Sequence, residues 1–497
     1  MCSVINGMRG EITMAKKVVI IGAGLAGLSA GICLQERGIS TEIYELAPWA
    51  GGQCTAWERG GYRFDGCIHW MVGTRTGDPI NAMYKKVGTL DETTKVYNAP
   101  DIRLEMEGEQ VEVPMKIEKF REFLLARAAG DEDIIESIVS DIKVMMHCEM
   151  PLGAPTNLSE LLKFLIKGRG FLSLTKKHGK KTVEEYLKAL KSEKVRQILY
   201  RLMPPKYSAV GLIMMLGTRM SGNAGYPLGG ASEAIRRMVD KYKALGGQLY
   251  LNTRVDEIVV ANDAATGIRA KGAFHPADYV VAACDAYDAL KKMLGGRFAH
   301  PQLDELLNDG ALFDPLAIIS FGLDKRFDIP FSVSCESPEG IETSSATKAH
   351  SFQIRSFDFD PSAAPEGGSS VMVMLDAPYE YWTNLRAADL AEYRRQKQRL
   401  ADAVAADLDR RMPGFSASIR VTDVATPATY VHLTNVYKAS FEGFSPTPDM
   451  LTVNIRRSVP GLKRFMLAGQ WITVGGGICT AVADGMAAAK QIAKELR

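Results

Sequence analysis

The sequence predicts an α/β chain of two lobes: a Rossmann-type dinucleotide-binding lobe assembled from separate stretches, and an α+β lobe made from the stretches between them. Three observations carry this. The β-branched run Lys17 to Ile21 leads directly into Gly22-Ala23-Gly24-Leu25-Ala26-Gly27. That turn opens a helical pattern through Leu28, Ile32 and Leu34. A second strand, Thr41 to Tyr44, ends at an acid, Glu45, 18 residues past Gly27. At 497 residues the chain is also too long for one simple core.

Each element has a reason in this order. Residues 1 to 13 are short, polar and without periodicity, so Met14 reads as the functional start and what precedes it as a loose leader or a misassigned start. Val18 to Leu34 is uncharged and follows Lys16-Lys17, which is the outline of a signal peptide. Gly22, Gly24, Gly27 and Gly31 argue against that, because they weaken a membrane helix and no cleavage site follows. Read as a nucleotide turn, Gly22 permits the bend, Gly24 lets the backbone approach a pyrophosphate, and Gly27 lets the helix sit close on the sheet. The phosphates then meet the helix N-terminus at Leu25 and Ala26. The Glu45 carboxylate is placed to accept hydrogen bonds from a ribose. Gly51-Gly52-Gln53, just beyond it, supplies a second glycine turn. That suits FAD, whose long body needs further backbone contacts after the ribose, better than NAD.

Further along, Gly61 to Trp70 (GYRFDGCIHW) reads as a short strand and turn beside the nucleotide lobe. Ala234 to Leu245 is an amphipathic helix, Gln248 to Val260 alternates like strands around Val255, and Tyr279 to Ala283 is a buried strand. Near the C-terminus, Phe465 to Gln470 is a strand and turn, followed by Gly475-Gly476-Gly477 and a small-residue helix from Thr480 to Ala488. The nucleotide lobe is therefore expected in 14–90, 222–300 and 420–497, and the substrate lobe in 91–221 and 301–419. The nearest thing to a linker is Asp360 to Ser369, rich in Pro, Gly, Ala and Ser.

Composition excludes some classes. A net charge of +2 gives no general attraction to nucleic acid. The eight cysteines are scattered without a CxxC pair, which reads as reduced cytosolic thiols and no zinc site; no metal is expected. Residues 161–181 carry seven basic and no acidic residues, interleaved with Leu and Phe. They read as a membrane-surface or substrate-access element, with a solvated basic helix as the plainer alternative. The expected location is cytoplasmic, with peripheral membrane attachment.

The glycine-rich start, the double glycine, the FDGCIHW segment, the turn Tyr226-Pro227-Leu228-Gly229-Gly230, Phe441-Glu442-Gly443-Phe444 and the AGQW segment stand in one order. In that order the chain resembles the phytoene desaturase superfamily, which shares its fold with the flavin amine oxidases and includes carotenoid isomerases and retinol saturases. The resemblance implies that Gly22, Gly24, Gly27, Glu45, Gly52 and Gln53, with Gly51 between, hold the ADP half of FAD. It implies that Val255 meets adenine through its backbone, and that Gly469, Gln470, Gly477 and Ile478 approach the ribityl chain and isoalloxazine. Many relatives carry an acid at the position of Gln470; an amide still bonds hydroxyls. The segment around Asp65 looks more like the FDxGxH turn of isomerases and saturases than the proline-containing form of bacterial phytoene desaturases.

Only one dinucleotide fingerprint is present, so electrons reach the flavin from an external donor or acceptor or from the substrate itself. Flavin chemistry needs a proton handled beside the hydride. His69 is the first candidate, as a group titrating near neutrality, against the alternative of a histidine that only pins its turn. Tyr226 is the second, against a Tyr-Pro that only stiffens a loop. The leading expectation is redox or isomerisation chemistry on carbon–carbon bonds of an apolar, isoprenoid-like small molecule. The competitors are a flavin amine oxidase acting on a small amine and a non-enzymatic flavin-fold binding protein.

Overall fold

A computed structural model describes residues 16–150 and 165–497. The expected leader and Met14 lie outside the described residues, as do residues 161–164 of the basic segment.

The first strand, β1 (Lys17–Ile21), is almost wholly buried, and its partner β2 (Ser40–Tyr44) lies parallel to it. Between them runs α1 (Leu25–Gln35), whose residues from Leu25 to Leu34 are all buried, so the helix is apolar on every side. Tyr279–Ala282 and Phe465–Leu467 extend the sheet on one side of β1, and Gln248–Tyr250 extends it past β2. All five strands are parallel, in the order Gln248–Tyr250, β2, β1, Tyr279–Ala282, Phe465–Leu467. Both faces of such a sheet must be covered. One face takes α1, the helix Gly230–Ala244 and the C-terminal helix Ile478–Glu495; the other takes an antiparallel trio, Val255–Ala261, Ala264–Ala270 and Ala273–Pro276. The last helix is longer than the expected 480–488, because its apolar face continues through Ala488, Ile492 and Ala493. The signal-like stretch Val18 to Leu34 is thus a core strand, turn and helix. Among the described residues, no helix is long and apolar enough to cross a membrane.

The second lobe is built on a seven-stranded sheet in the order Ile419–Ala425, Leu316–Leu323, Ser369–Asp376, Lys348–Ser356, Val333–Glu342, Asp101–Met106, Glu109–Pro114. Its one parallel pair is Val333–Glu342 with Asp101–Met106. Period-2 alternation divides the two faces. Ala317, Ile319, Val371 and Val373 meet the helix Leu390–Arg411 through Leu400, Val404 and Leu408, while Leu316, Ile318 and Met374 face the flavin lobe. Helices from Ile117 to Met220 close the lobe. Ile419–Ala425, at the junction of two expected segments, is an edge strand of this sheet. The short strand Ala224–Pro227 pairs with both Met71–Val72 and Val96–Tyr97 at the seam.

The linker reading of Asp360 to Ser369 is corrected. Asp360 is buried and takes a 2.6 Å ion pair from Arg63 and a 2.8 Å hydrogen bond from the Gly229 amide. A loop that supplies the counter-charge for a buried arginine cannot swing as a tether.

Candidate functional site

The C-terminal edge of the parallel sheet opens into a cleft of about 1010 Å³. Gly22, Gly24, Leu25, Ala26, Glu45, Gly51, Gly52, Gln53, Val255, Gly469 and Gln470 all line it. Gly22 has φ +99°, and a Cβ there would stand 2.7 Å from the Ala283 carbonyl oxygen, so only glycine makes this turn. Gly24 is the N-cap of α1, with no side-chain cap and no acid in the first turn, which leaves first-turn amides and the positive helix end facing the cleft. Glu45 is buried, and its two carboxylate oxygens accept from the Ala23 amide (2.7 Å) and the Ala47 amide (2.8 Å). Each oxygen keeps a lone pair for a sugar hydroxyl. Burial pushes the carboxyl pKa upward, against these two bonds. Gln53 donates to Thr434 Oγ1 at 2.6 Å. Gly27 does not line the cleft: a Cβ there would lie 2.0 Å from the Gly22 carbonyl oxygen, so it serves helix–strand contact and not the ligand. The donor set, open backbone approach and carboxylate fit a dinucleotide.

Asp285 and Asp288 also line this cleft, and sequence reasoning missed both. Asp285 accepts from the Asp288 and Tyr437 amides, and burial raises its carboxyl to about 6. An acid three residues past the end of a buried parallel strand, at the edge where such sheets bind ligands, was the available signal.

A second cavity of about 1380 Å³ joins the first at Leu25, Gln53, Cys54, Gln470 and Ala481. Its walls include Trp57, Trp70, Met71, Met214, Leu316, Ile318, Met374, Tyr430 and Phe441, with His69, Gly477 and Ile478. The FDGCIHW turn delivers His69 here. Asp65 holds that turn: one oxygen accepts from the Cys67 and Ile68 amides, the other from the Tyr226 hydroxyl (2.9 Å) and the Ala231 amide (2.8 Å).

Both catalytic candidates are placed differently from expectation. Tyr226 is fully buried, bonded to Asp65 and wedged among Phe331, Phe357 and Phe359; it lines neither cavity. Its role is to brace the Asp65 turn. Tyr226→Phe should therefore cost about 1–2 kcal/mol in urea unfolding while flavin content and turnover stay within twofold. A tenfold loss of turnover at unchanged stability would restore it as a catalyst. His69 does reach the cavity, but it does not titrate near neutrality. Burial, and then the charge of Arg355, lower its pKa to about 3. Its Nε2 is buried and has no partner among the described residues, and at that pKa the ring is a neutral imidazole across the physiological range.

The group that does titrate there is Glu442. It lines the cavity beside Gly475, Gly476 and Gly477, and burial alone raises its carboxyl to about 7. Gly476, at φ +59°, makes room: a Cβ on it would stand 2.5 Å from the Glu442 Cβ. The sequence signal was an acid set directly between Phe441 and Gly443. Two further charges went unnoticed, Arg219 and Arg355. Burial lowers their pKa values to about 10 and about 9, and Arg219 adds like-charge repulsion to Arg355.

Residues 25–493 match the family described as flavin containing amine oxidoreductase. The chain is 25% identical to a phytoene desaturase (lycopene-forming) from Pseudescherichia vulneris, over 97% of this chain and 100% of that one. It is 22% identical to the chloroplastic prolycopene isomerase of Daucus carota, over 83% of this chain and 69% of that one. The solved cyclohexylamine oxidase from Brevibacterium oxydans IH-35A superposes with a TM-score of 0.58 at 16% identity, covering 97% of this chain and 99% of that one, which establishes the shared fold.

Proposed function

The chain belongs to the flavin containing amine oxidoreductase family, and from that premise we propose that it is an FAD-dependent oxidoreductase that desaturates, saturates or isomerises carbon–carbon bonds of an apolar, isoprenoid-like substrate. The observation that carries this reading is the second cavity. It abuts the nucleotide cleft at Leu25 and Gln470, is walled largely by Met, Leu, Ile and aromatic side chains, and among the described residues its one carboxyl is Glu442, at the glycine turn. The relatives named for phytoene and prolycopene support the substrate class.

In this reading the first-turn amides of α1 and the Gly22–Gly24 backbone hold the pyrophosphate of FAD, Glu45 its ribose and Val255 its adenine. Bound flavin supplies a hydride acceptor or donor. The protein's own share is to align a substrate carbon along the Met374 and Ile318 wall, to exclude water, and to take or give a proton at the Glu442 carboxyl. The Ile478–Glu495 helix begins at Gly477 without a side-chain cap, so its positive end favours negative charge at the glycine turn.

Electron supply or removal falls to an external carrier or to the substrate itself. We place the enzyme in the cytoplasm, at a membrane surface. Leu165 and Ile166 are 50% and 67% exposed, next to a helix, Arg169–His178, that buries only Leu174 and His178 and shows Lys176 to solvent. Flotation with anionic vesicles tests this: binding should weaken in Leu165→Asp/Ile166→Asp and with salt.

The charge of Arg355 bears on His69 at the cavity wall, and a like charge there repels an ammonium group, which weighs against the amine-oxidase reading of the same fold. Purified holoenzyme mixed with polyenes should change its visible flavin spectrum and convert substrate. Peroxide release with simple amines, and silence with every polyene, would reverse the ranking.

A further inference from the structure

Cys54 and Cys67 have no part in the chemistry above, yet the hairpin between them sets them opposite each other. Its strands, Ala56–Arg59 and Tyr62–Asp65, are joined by Gly60-Gly61, both at positive φ (+56° and +83°), the two-residue turn of a tight antiparallel hairpin. Arg59 stands opposite Tyr62, and Ala56 opposite Asp65. One rung beyond, the ladder still holds, because the Gly66 amide donates to the Thr55 carbonyl at 3.2 Å. The next rung pairs Cys54 with Cys67, on the face that carries Ala56 and Asp65. Hydrogen-bonded and non-hydrogen-bonded rungs alternate, and with Thr55 bonded to Gly66 the cysteine rung is of the second kind. There Cα atoms stand roughly 4.5 Å apart with their side chains close. That lies within the span of about 4.4–6.8 Å that a disulfide bridges.

Both residues are free thiols, and both line the apolar cavity. Cys54 is buried, and Cys67 packs half-buried against the same core. The Cys67 thiol is pushed well up, first by its hydrogen bond with Cys54 and then by burial, so it keeps its proton while sharing it with the other sulfur. Cys54 also lines the nucleotide cleft and a surface groove of about 740 Å³ beside the exposed Trp49. Leu25, Gln53, Cys54, Gln470 and Ala481 form the junction of cleft and cavity. Of these five side chains, only the thiol of Cys54 can give up or accept electrons.

We propose that Cys54 and Cys67 form a redox-active dithiol–disulfide couple that exchanges an electron pair with flavin bound in the adjoining cleft. This rests on the flavin reading above and extends it. In one direction two S–H bonds break, one S–S bond forms, and the electron pair and two protons pass to oxidised flavin, leaving dihydroflavin. In the other, dihydroflavin returns them, the S–S bond breaks and both thiols re-form. No further reactant is consumed. The protein then holds two electron pairs where flavin alone holds one, and the groove beside Trp49 reaches the couple from outside.

Anaerobic dithionite titration of the flavin-loaded, air-oxidised enzyme, followed at the visible flavin band, counts the electrons. The unmodified enzyme should take up two electron pairs per flavin, and Cys54→Ser and Cys67→Ser only one. Peptide mapping by mass spectrometry without added reductant should find Cys54 linked to Cys67, and after reduction N-ethylmaleimide should label both. The map and the count in the unmodified enzyme hold even if a variant fails to fold. Absence of the link, one electron pair per flavin in the unmodified enzyme, or two pairs that persist in both serine variants overturns the couple and leaves the flavin reading standing. A link from either residue to Cys479, which lines the same cavity, overturns the assignment of the pair. If the protein holds no flavin, the reading beneath falls and the couple falls with it.

Discussion

Gly24→Val is expected to yield folded, colourless protein. The conformation at Gly24 is ordinary (φ −71°), and a Cβ there meets nothing closer than the Gly51 carbonyl oxygen at 3.9 Å. The fold therefore tolerates the side chain, but its methyl groups occupy the space where a pyrophosphate must approach the first-turn amides of α1. Flavin affinity should fall on the order of a hundredfold or more, equivalent to about 3 kcal/mol. Gly27→Val separates the two glycine roles. Its Cβ would overlap the Gly22 carbonyl oxygen at 2.0 Å, so it should lose stability by about 1–3 kcal/mol or fail to fold. Circular dichroism and the visible flavin band, measured on both variants, check the pair. A yellow Gly24→Val protein with unchanged affinity would falsify the assignment of the cleft.

The second large effect belongs to Glu442→Gln. Removing the proton-handling carboxyl should lower kcat by about 10²- to 10⁴-fold, and the bend near pH 7 in the wild-type pH–rate profile should disappear. A stability readout separates this from simple damage. The carboxyl rises from its ordinary value of 4.5 to about 7 on folding. Below pH 4.5 both states hold the proton, and the favourable contribution of the folded state's higher proton affinity is fully present. As pH climbs to 7 the unfolded chain releases its proton first, so stability is lost across that window, by up to about 3 kcal/mol above it. Glutamine has no proton to lose. In flavin-free protein the variant should match the wild type most nearly at pH 4.5 and gain on it steadily up to pH 7. Parallel stability curves, or turnover within tenfold of wild type, would remove Glu442 from the chemistry.

The nucleotide end of this protein was legible in its residues because each requirement there is local. Gly22 must adopt a positive φ, Gly27 must let two backbones touch, and Glu45 must end a strand that runs parallel to β1; all three are met within one continuous βαβ unit. Even the later pieces, Val255 and Gly469, reached the cleft, because each follows directly from a strand or turn with a readable pattern. Reading the chemistry failed where the determinant was long-range. Tyr226 was the second proton candidate beside the reading of a Tyr-Pro that only stiffens a loop, and Asp65, 161 residues away, takes its hydroxyl. His69 was expected near its solution pKa, but its proton affinity is set by burial under the second lobe and by Arg355, which the sequence places far from it.

The amino-acid order by itself determined the dinucleotide fold, the glycine turns and the acid at the ribose position, since backbone sterics and period-2 or period-3.6 burial act over a few residues. Tertiary structure alone decided which titratable group is poised at neutral pH. Desolvation and Coulomb interactions depend on what is brought near through space, and Glu442 and His69 come from separate stretches that meet only at the walls of one cavity.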